Sequence, residues 1–118
     1  MPKQATEMLK GVLEGMVLAI LAQRPAYGYE IRAWLRSQGF DEIAEGTIYA
    51  LLLRLERREF VDVETVPSEK GPPRRIYSLN PSGRTYLNQF WETWIFITER
   101  LQRLHPERTE HVARQDLK

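Results

Sequence analysis

The apolar residues of this chain change their spacing twice, and this limits the folds it can adopt. Up to about residue 58 they recur every three or four positions, as on the buried face of a helix. From Phe60 to Val66 they alternate with polar residues as strands do, and Ile76, Tyr77 and Leu79 mark a second short strand from Arg75 to Leu79. After Gly83 the helical spacing returns and continues to Leu104. The sequence therefore predicts a mainly α-helical fold with one β-hairpin before a final long helix.

Three helices are predicted before the hairpin. The first spans Met8 to Ala22, where two adjacent apolar rows predict a wide buried face. These rows are Met8, Val12, Met16, Ile20 and Leu9, Leu13, Val17, Leu21. The second helix follows a turn at Gly28 and ends at Gly39, a typical C-terminal cap. The third runs from near Glu45 to about Arg58.

The hairpin carries a proline-rich, basic tip. The segment from Pro67 to Pro73 is rich in residues that form turns and that interrupt ladder hydrogen bonds. From Lys70 to Trp91 there are four cations and no acidic residue. The cations are Lys70, Arg74, Arg75 and Arg84. Strand alternation sends Arg74 and Arg75 to opposite faces, so we expect one of them to act together with Lys70. A solvated surface is the alternative for all four.

The final helix repeats its apolar residues at alternating steps of three and four, which is a heptad seam. The seam is Leu87, Phe90, Trp94, Ile97, Leu101 and Leu104. A lone helix exposing such a seam would present an apolar patch that soluble monomers avoid. We therefore expect a homodimer whose interface includes Leu87, Trp94, Ile97, Leu101 and Leu104. The polar residues 106–118 are predicted to form a flexible tail.

Composition excludes several classes of protein. The 118 residues suit one domain, and the absence of cysteine excludes disulfides and thiolate metal sites. There is no arrangement of catalytic residues, no cofactor fingerprint and no metal-ligand spacing around the two histidines. We therefore expect no enzyme activity, no cofactor and no metal. No apolar run could cross a membrane and no signal peptide is recognised, so a cytoplasmic location is expected.

Three helices, a hairpin and a long helix form the order of a winged helix-turn-helix. In that fold the third helix enters the major groove of DNA and the hairpin tip, or wing, reaches the neighbouring backbone or minor groove. The net charge of +1 does not by itself indicate a nucleic-acid partner. The four cations and the absence of acidic residues from Lys70 to Trp91 favour one.

Several ordered motifs narrow this interpretation. They are Ala26-Tyr27-Gly28-Tyr29-Glu30-Ile31, Glu45-Gly46-Thr47-Ile48-Tyr49 with Leu52 and Arg54-Leu55-Glu56, Gly71-Pro72-Pro73-Arg74-Arg75-Ile76-Tyr77-Ser78-Leu79, and Gly83-Arg84. Together they resemble the PadR family of transcriptional regulators, over residues 8 to about 104. The single C-terminal helix is similar to the smaller subclass of that family. The resemblance implies a winged helix over residues 1–80 and a dimerisation helix over residues 81–105, which packs with residues 8–22 across a two-fold axis.

Two positions depart from the family pattern. Family members commonly carry proline directly after the tyrosine of the recognition helix, where this chain has Ala50. Three residues further on a polar residue is frequent, and here Leu53 takes its place. We therefore expect a base preference that differs from that of other members.

The resemblance also implies where DNA would bind. The expected contacts are Tyr27, Gly46, Thr47, Tyr49 and Arg54 from the helices, and Lys70, Arg74 and Arg75 from the wing. The first turn of the third helix favours an approaching phosphate because backbone amides and the helix dipole point there. Alternatively, Tyr49 packs on the second helix, Thr47 only stabilises the turn and Tyr27 is a buried ring.

Three aromatic residues on the last helix, Phe90, Trp91 and Trp94, have two interpretations. Large rings on a heptad seam are usually dimer core. The resemblance to multidrug-sensing members implies instead that Trp94 faces its symmetry mate and stacks planar aromatic ligands. The leading hypothesis is a homodimeric repressor that occupies a palindromic double-stranded DNA operator and is released by a small aromatic effector. A winged-helix protein-interaction module without an effector is the alternative.

Overall fold

The computed structural model describes residues 1–105; the polar tail 106–118 lies outside the described residues. It contains five α-helices, one 3-10 turn and three strands over this range, and it confirms the mainly helical winged-helix fold. In chain order these are α1 (Ala5–Met8), the 3-10 turn (Leu9–Gly11), α2 (Leu13–Gln23), β1 (Ala26–Tyr27), α3 (Gly28–Ser37), α4 (Glu45–Arg57), β2 (Val61–Val66), β3 (Arg74–Leu79) and α5 (Pro81–Leu104).

The first predicted helix differs from the structure in two ways. It is divided by the 3-10 turn, which ends at Gly11, a residue type that is unfavourable in helix interiors. Its two apolar rows also have different surroundings: Leu13, Val17 and Leu21 are buried, whereas the row containing Met16 is only half-buried and Met8 is 71% exposed. In the single subunit, one row therefore packs in the core and the other remains partly accessible.

The core lies between α2, α3 and α4. Its fully buried side chains are Val17, Leu18, Ile31, Leu35, Ile48, Leu52 and Leu55. Helix α3 ends as predicted, because Gly39 adopts a positive φ of 97° and lets the Phe40 N–H donate to the Leu35 carbonyl at 2.9 Å. Helix α4 begins at Glu45, after an Ala44 that provides no side-chain cap.

The sheet contains a strand that the sequence did not indicate. Its order is β1-β3-β2, and both pairings are antiparallel. The central strand β3 places the buried Tyr77 opposite Ala26 on one side and Val63 on the other. Strand β1 has two residues, which is too short for an alternating pattern to be recognised. This pairing attaches the wing to the start of α3.

Asn80 joins three elements. Its side-chain oxygen accepts a hydrogen bond from the Gly83 N–H at 2.8 Å, and its amide nitrogen donates to the Glu59 carbonyl at 2.9 Å. Pro81 occupies the first helical position, where its missing N–H costs nothing. Helix α5 therefore begins at Pro81, two residues before the Gly83 after which the apolar spacing resumes.

The described chain forms two compact units, and the second begins at Asn88. Within it, the remainder of α5 exposes large apolar side chains. They are Trp91, Trp94, Ile95, Phe96, Ile97, Leu101 and Leu104. Leu87 belongs to the first unit and is only 4% exposed, so it offers little surface to a second subunit and we remove it from the expected interface. No helix within residues 1–105 is long and apolar enough to span a membrane.

Candidate nucleic-acid interface

Two stacked tyrosines lie where β1 meets α3. The rings of Tyr27 and Tyr29 are 5.6 Å apart between centroids and nearly parallel, at 11°. The Glu30 carboxylate accepts a hydrogen bond from the Tyr27 N–H at 2.9 Å, which fixes the first turn of α3. Tyr27 is half-buried and Tyr29 is exposed. The backbone around this pair is therefore held by both the sheet and the helix cap.

Tyr49 approaches this pair from α4. A Cβ atom added at Gly28 would lie 2.6 Å from Tyr49 Cε1, so the ring packs directly against the first residue of α3. The same side chain is 42% exposed. Tyr49 therefore both packs on α3 and remains accessible to a ligand. The close packing requires glycine at position 28, because any larger residue there would collide with the ring.

The wing is attached to the same tyrosines. The Arg74 guanidinium lies 5.5 Å from the centroid of the Tyr29 ring, a cation–π distance. At the tip, Gly71 has a φ of 109° and the Ser68 hydroxyl donates to the Lys70 carbonyl at 3.3 Å. These contacts position the basic strand β3 beside the start of α3.

Together these elements surround a surface depression of about 550 Å³. Its lining comes from β1, α3, α4 and the wing: Tyr27, Gly28, Tyr29, Tyr49, Leu53, Ser68, Lys70, Pro72, Pro73, Arg74, Arg75 and Tyr77. Three of these side chains are cations and none is acidic. Of the expected DNA contacts, the depression brings together Tyr27, Tyr49, Lys70, Arg74 and Arg75.

The other expected contacts lie elsewhere on α4. Thr47 and Arg54 line a different depression of about 630 Å³, between α4 and the N-terminal segment. Gly46 is exposed in the first turn of α4, with open space around its Cα. These three residues are therefore separated from the depression that contains the wing cations.

Ion pairing divides the cations into two groups. Arg54 pairs with Glu14 at 3.1 Å, and Arg75 pairs with Glu56. Within residues 1–105, Lys70 and Arg74 have no acidic partner. Among the cations expected to contact DNA, Lys70 and Arg74 are thus the two without an acidic partner in residues 1–105.

Sequence reasoning missed two residues near this surface. Tyr29 supports Arg74, and Arg57 is exposed in the last turn of α4 without an acidic partner in the described chain. Leu53, which departs from the family pattern, lines the depression. The helical spacing of residues 53 and 57 could have placed them on one face of α4. The contact between Tyr29 and the wing has no sequence signal.

Two pKa shifts reflect local packing. Burial raises the pKa of the Tyr77 phenol at the base of the depression, although the nearby Arg75 charge opposes this. A hydrogen bond with Tyr86 raises the pKa of Arg58, which also pairs with Glu14 at 2.9 Å. Both groups keep their ordinary protonation state at neutral pH: Tyr77 is neutral and Arg58 is charged.

The expected effector residues lie in the second unit. Phe90 and Trp91 meet edge to face, with centroids 5.4 Å apart and an interplanar angle of 66°. Trp91 and Trp94 are 42% and 40% exposed. In the described chain, no group of three or more His, Asp or Glu side chains could hold a metal ion.

Known proteins share this sequence and fold. A model of the transcriptional regulator PadR-like family matches residues 17–89, more than half of the chain. A PadR-like transcriptional regulator from Bacillus cereus is 37% identical, with a TM-score of 0.73, over 83% of this chain and 95% of that one. A Streptococcus transcriptional regulator is 40% identical, also with a TM-score of 0.73, over 82% of this chain and 95% of that one. A curated relative from Lysinibacillus sphaericus is 27% identical over 80% of this chain and 88% of its own length. The chain therefore belongs to the PadR-like family of transcriptional regulators.

Proposed function

We propose that the chain is one subunit of a homodimeric repressor that occupies a palindromic operator. The observation that carries the proposal is the acid-free depression in which Tyr27 and Tyr49 lie beside the unpaired cations Lys70 and Arg74. Phosphate groups attract such cations and accept hydrogen bonds from tyrosine hydroxyls. In this arrangement α4 enters the major groove while the wing contacts the adjacent backbone.

Duplex binding tests this role directly. Fluorescence anisotropy is measured with the DNA upstream of the coding region and with a scrambled duplex of equal length. Tyr49→Phe and Lys70→Ala should each weaken binding about fivefold or more, as expected for a lost phosphate contact. Arg36→Ala is the control, because Arg36 is exposed in the last turn of α3 and lines neither depression. Equal affinity for both duplexes, or unchanged affinity in both wing variants, would contradict the proposal.

The dimer would form through α5 together with the accessible row of the N-terminal segment. Ile97, Leu101 and Leu104 are all exposed in the single subunit, as is Met8. Burying them removes apolar surface from water at roughly 25 cal/mol per Å². For this role the two-fold axis must set the two copies of α4 about 34 Å apart, which is the spacing of successive major grooves.

Sedimentation distinguishes the two sides of α5. Leu101→Asp should dissociate the dimer at micromolar concentration. Phe96→Asp is the matched control: Phe96 is 55% exposed against 58% for Leu101, but it lies off the heptad seam. A wild-type chain that sediments as a monomer, or equal dissociation by both variants, would contradict this interface.

The aromatic residues of α5 support an effector role. We infer that a planar aromatic compound stacks between the two Trp94 rings of the dimer. Each aromatic contact contributes roughly 0.5 to 1.5 kcal/mol beyond the buried area. The compound releases the operator if it binds the DNA-incompetent spacing of the two recognition helices more tightly than the competent one.

Tryptophan fluorescence tests the effector role with a flat cationic dye. The dye should quench wild-type fluorescence and lower operator affinity, and Trp94→Ala should lose both effects. Trp34→Phe in α3 is the control, since Trp34 is similarly exposed at 41%. Quenching that persists unchanged in Trp94→Ala would place the dye elsewhere, and quenching without loss of DNA affinity would exclude a switch.

A further inference from the structure

The outward face of α4 is almost without polar groups. Residues 46, 50, 53 and 57 follow one another at steps of four, three and four, so they share one face of the helix. All four are exposed: Gly46, Ala50, Leu53 and Arg57. The opposite face is buried in the core through Ile48, Leu51, Leu52 and Leu55. A ligand that contacts the outward face of α4 therefore contacts Gly46 and the apolar side chains of Ala50 and Leu53, and Arg57 is the one charged residue of the four.

Two of the polar residues that flank this face have contacts within the protein, whereas the hydroxyl-bearing Thr47 is exposed. Arg54 pairs with Glu14, and the Tyr49 ring packs against Gly28. Recognition helices usually read bases with Arg, Asn or Gln, whose side chains form paired hydrogen bonds with base edges. None of these residue types other than Arg57 lies free on the outward face of α4. Residues 46, 50 and 53 therefore cannot form the paired hydrogen bonds by which Arg, Asn or Gln read a base edge.

Leu53 is placed where a base edge would come. Its side chain is 40% exposed and lines the same depression as Lys70 and Arg74. Leu53 can contact an apolar group of a ligand while Lys70 and Arg74 bind its phosphates, so this surface is complementary to one that carries both kinds of group. In the major groove the apolar group on a base edge is the C5-methyl of thymine.

We propose that Leu53 and Ala50 select operator thymines by packing against their C5-methyl groups, so that Leu53 is a specificity-determining residue. This rests on the proposed function, because α4 must lie in the major groove. Phosphate contacts from the wing would then supply affinity, while van der Waals contact with methyl groups supplies the base preference. Operator half-sites should accordingly contain thymines where α4 docks.

Replacing thymine by deoxyuracil tests the proposal, because it removes only the methyl group. Each operator thymine is replaced in turn, symmetrically in both half-sites, and affinity is measured by anisotropy. At the contacted position, wild-type affinity should fall about fourfold per methyl, hence roughly 15-fold per operator, since one buried methylene contributes that much. Leu53→Ala should bind the thymine operator more weakly and respond less to deoxyuracil at that position, as in a double-mutant cycle.

Arg57→Ala is the control, because it lies on the same face but should weaken thymine and deoxyuracil operators equally. If wild type binds the operator specifically but no deoxyuracil substitution weakens it, the thymine proposal is overturned and the repressor proposal stands. If no duplex is bound specifically, both fail. The wild-type substitution series decides the question even if Leu53→Ala folds poorly.

Discussion

Gly28→Ala should separate DNA affinity from stability. The added Cβ would lie 2.6 Å from Tyr49 Cε1, 3.2 Å from Tyr49 Cζ and 3.4 Å from Leu52 Cδ1. The first distance is too short for any real contact, so the ring must move. Because Tyr49 is 42% exposed, the ring can swing towards solvent without separating α3 from α4.

The two consequences differ in size. Alanine is favoured over glycine in helices by up to about 1 kcal/mol, which offsets the lost ring packing. We therefore expect the free energy of unfolding to change by less than about 1 kcal/mol. The displaced hydroxyl loses its phosphate in each half-site, and a hydrogen bond to a charged group contributes roughly 1.5 to 3 kcal/mol. Operator affinity should thus fall at least tenfold.

Urea unfolding and anisotropy at about 0.15 M salt measure these quantities on the same preparations. Gly11→Ala is the control, since nothing lies within 4 Å of a Cβ atom added there. Full operator affinity in Gly28→Ala would refute the role given to the Tyr49 position. A loss of several kcal/mol in stability would show that the helices, and not the ring, absorb the added methyl.

Three further predictions concern the scaffold. Asn80→Ala removes the α5 cap and the hydrogen bond to the Glu59 carbonyl, so urea unfolding should show a loss of about 1 to 2 kcal/mol; an unchanged midpoint would contradict the capping role. Glu59 has a φ of 62°, a left-handed conformation that asparagine tolerates better, so Glu59→Asn should raise the unfolding temperature and not lower it. Burial raises the pKa of Tyr77, so the folded state retains the phenol proton to higher pH than the unfolded state does. The contribution of the neutral phenol to the free energy of unfolding is therefore present below pH 10 and falls as pH rises further. Between about pH 9 and 11, wild type should therefore lose more stability than Tyr77→Phe, and equal losses would exclude Tyr77 as the cause.

Local spacing was sufficient to predict most of the helices and the hairpin. Alternation located β2, a short apolar segment located β3, and the glycine at position 39 located the end of α3. Spacing failed where an element is short, because β1 has only two residues. It also failed at Leu87, because the heptad pattern cannot show that this residue is already covered by its own subunit.

The sequence predicted which residues form the candidate site, but not which of its cations form ion pairs within the protein. Sequence motifs indicated Tyr27, Tyr49 and the basic wing. Which cations remain available depends on carboxylates distant in sequence: Glu14 pairs with Arg54 across 40 positions, and Glu56 pairs with Arg75 across 19. No periodicity encodes such tertiary contacts, so Arg54 and Arg74 looked equivalent until the fold was known.

The salt dependence of operator binding tests the central claim most directly. DNA binding through several phosphates gives a steep fall of log K with log salt, and each phosphate contact contributes about 0.9 to the slope. Arg74→Ala should reduce the slope by about 2 in a dimer, whereas Arg54→Ala should reduce it less, because Arg54 pairs with Glu14 and lines a different depression. Wild-type binding that is insensitive to salt, or equal slopes in wild type and Arg74→Ala, would contradict a DNA interface formed by the wing and α4.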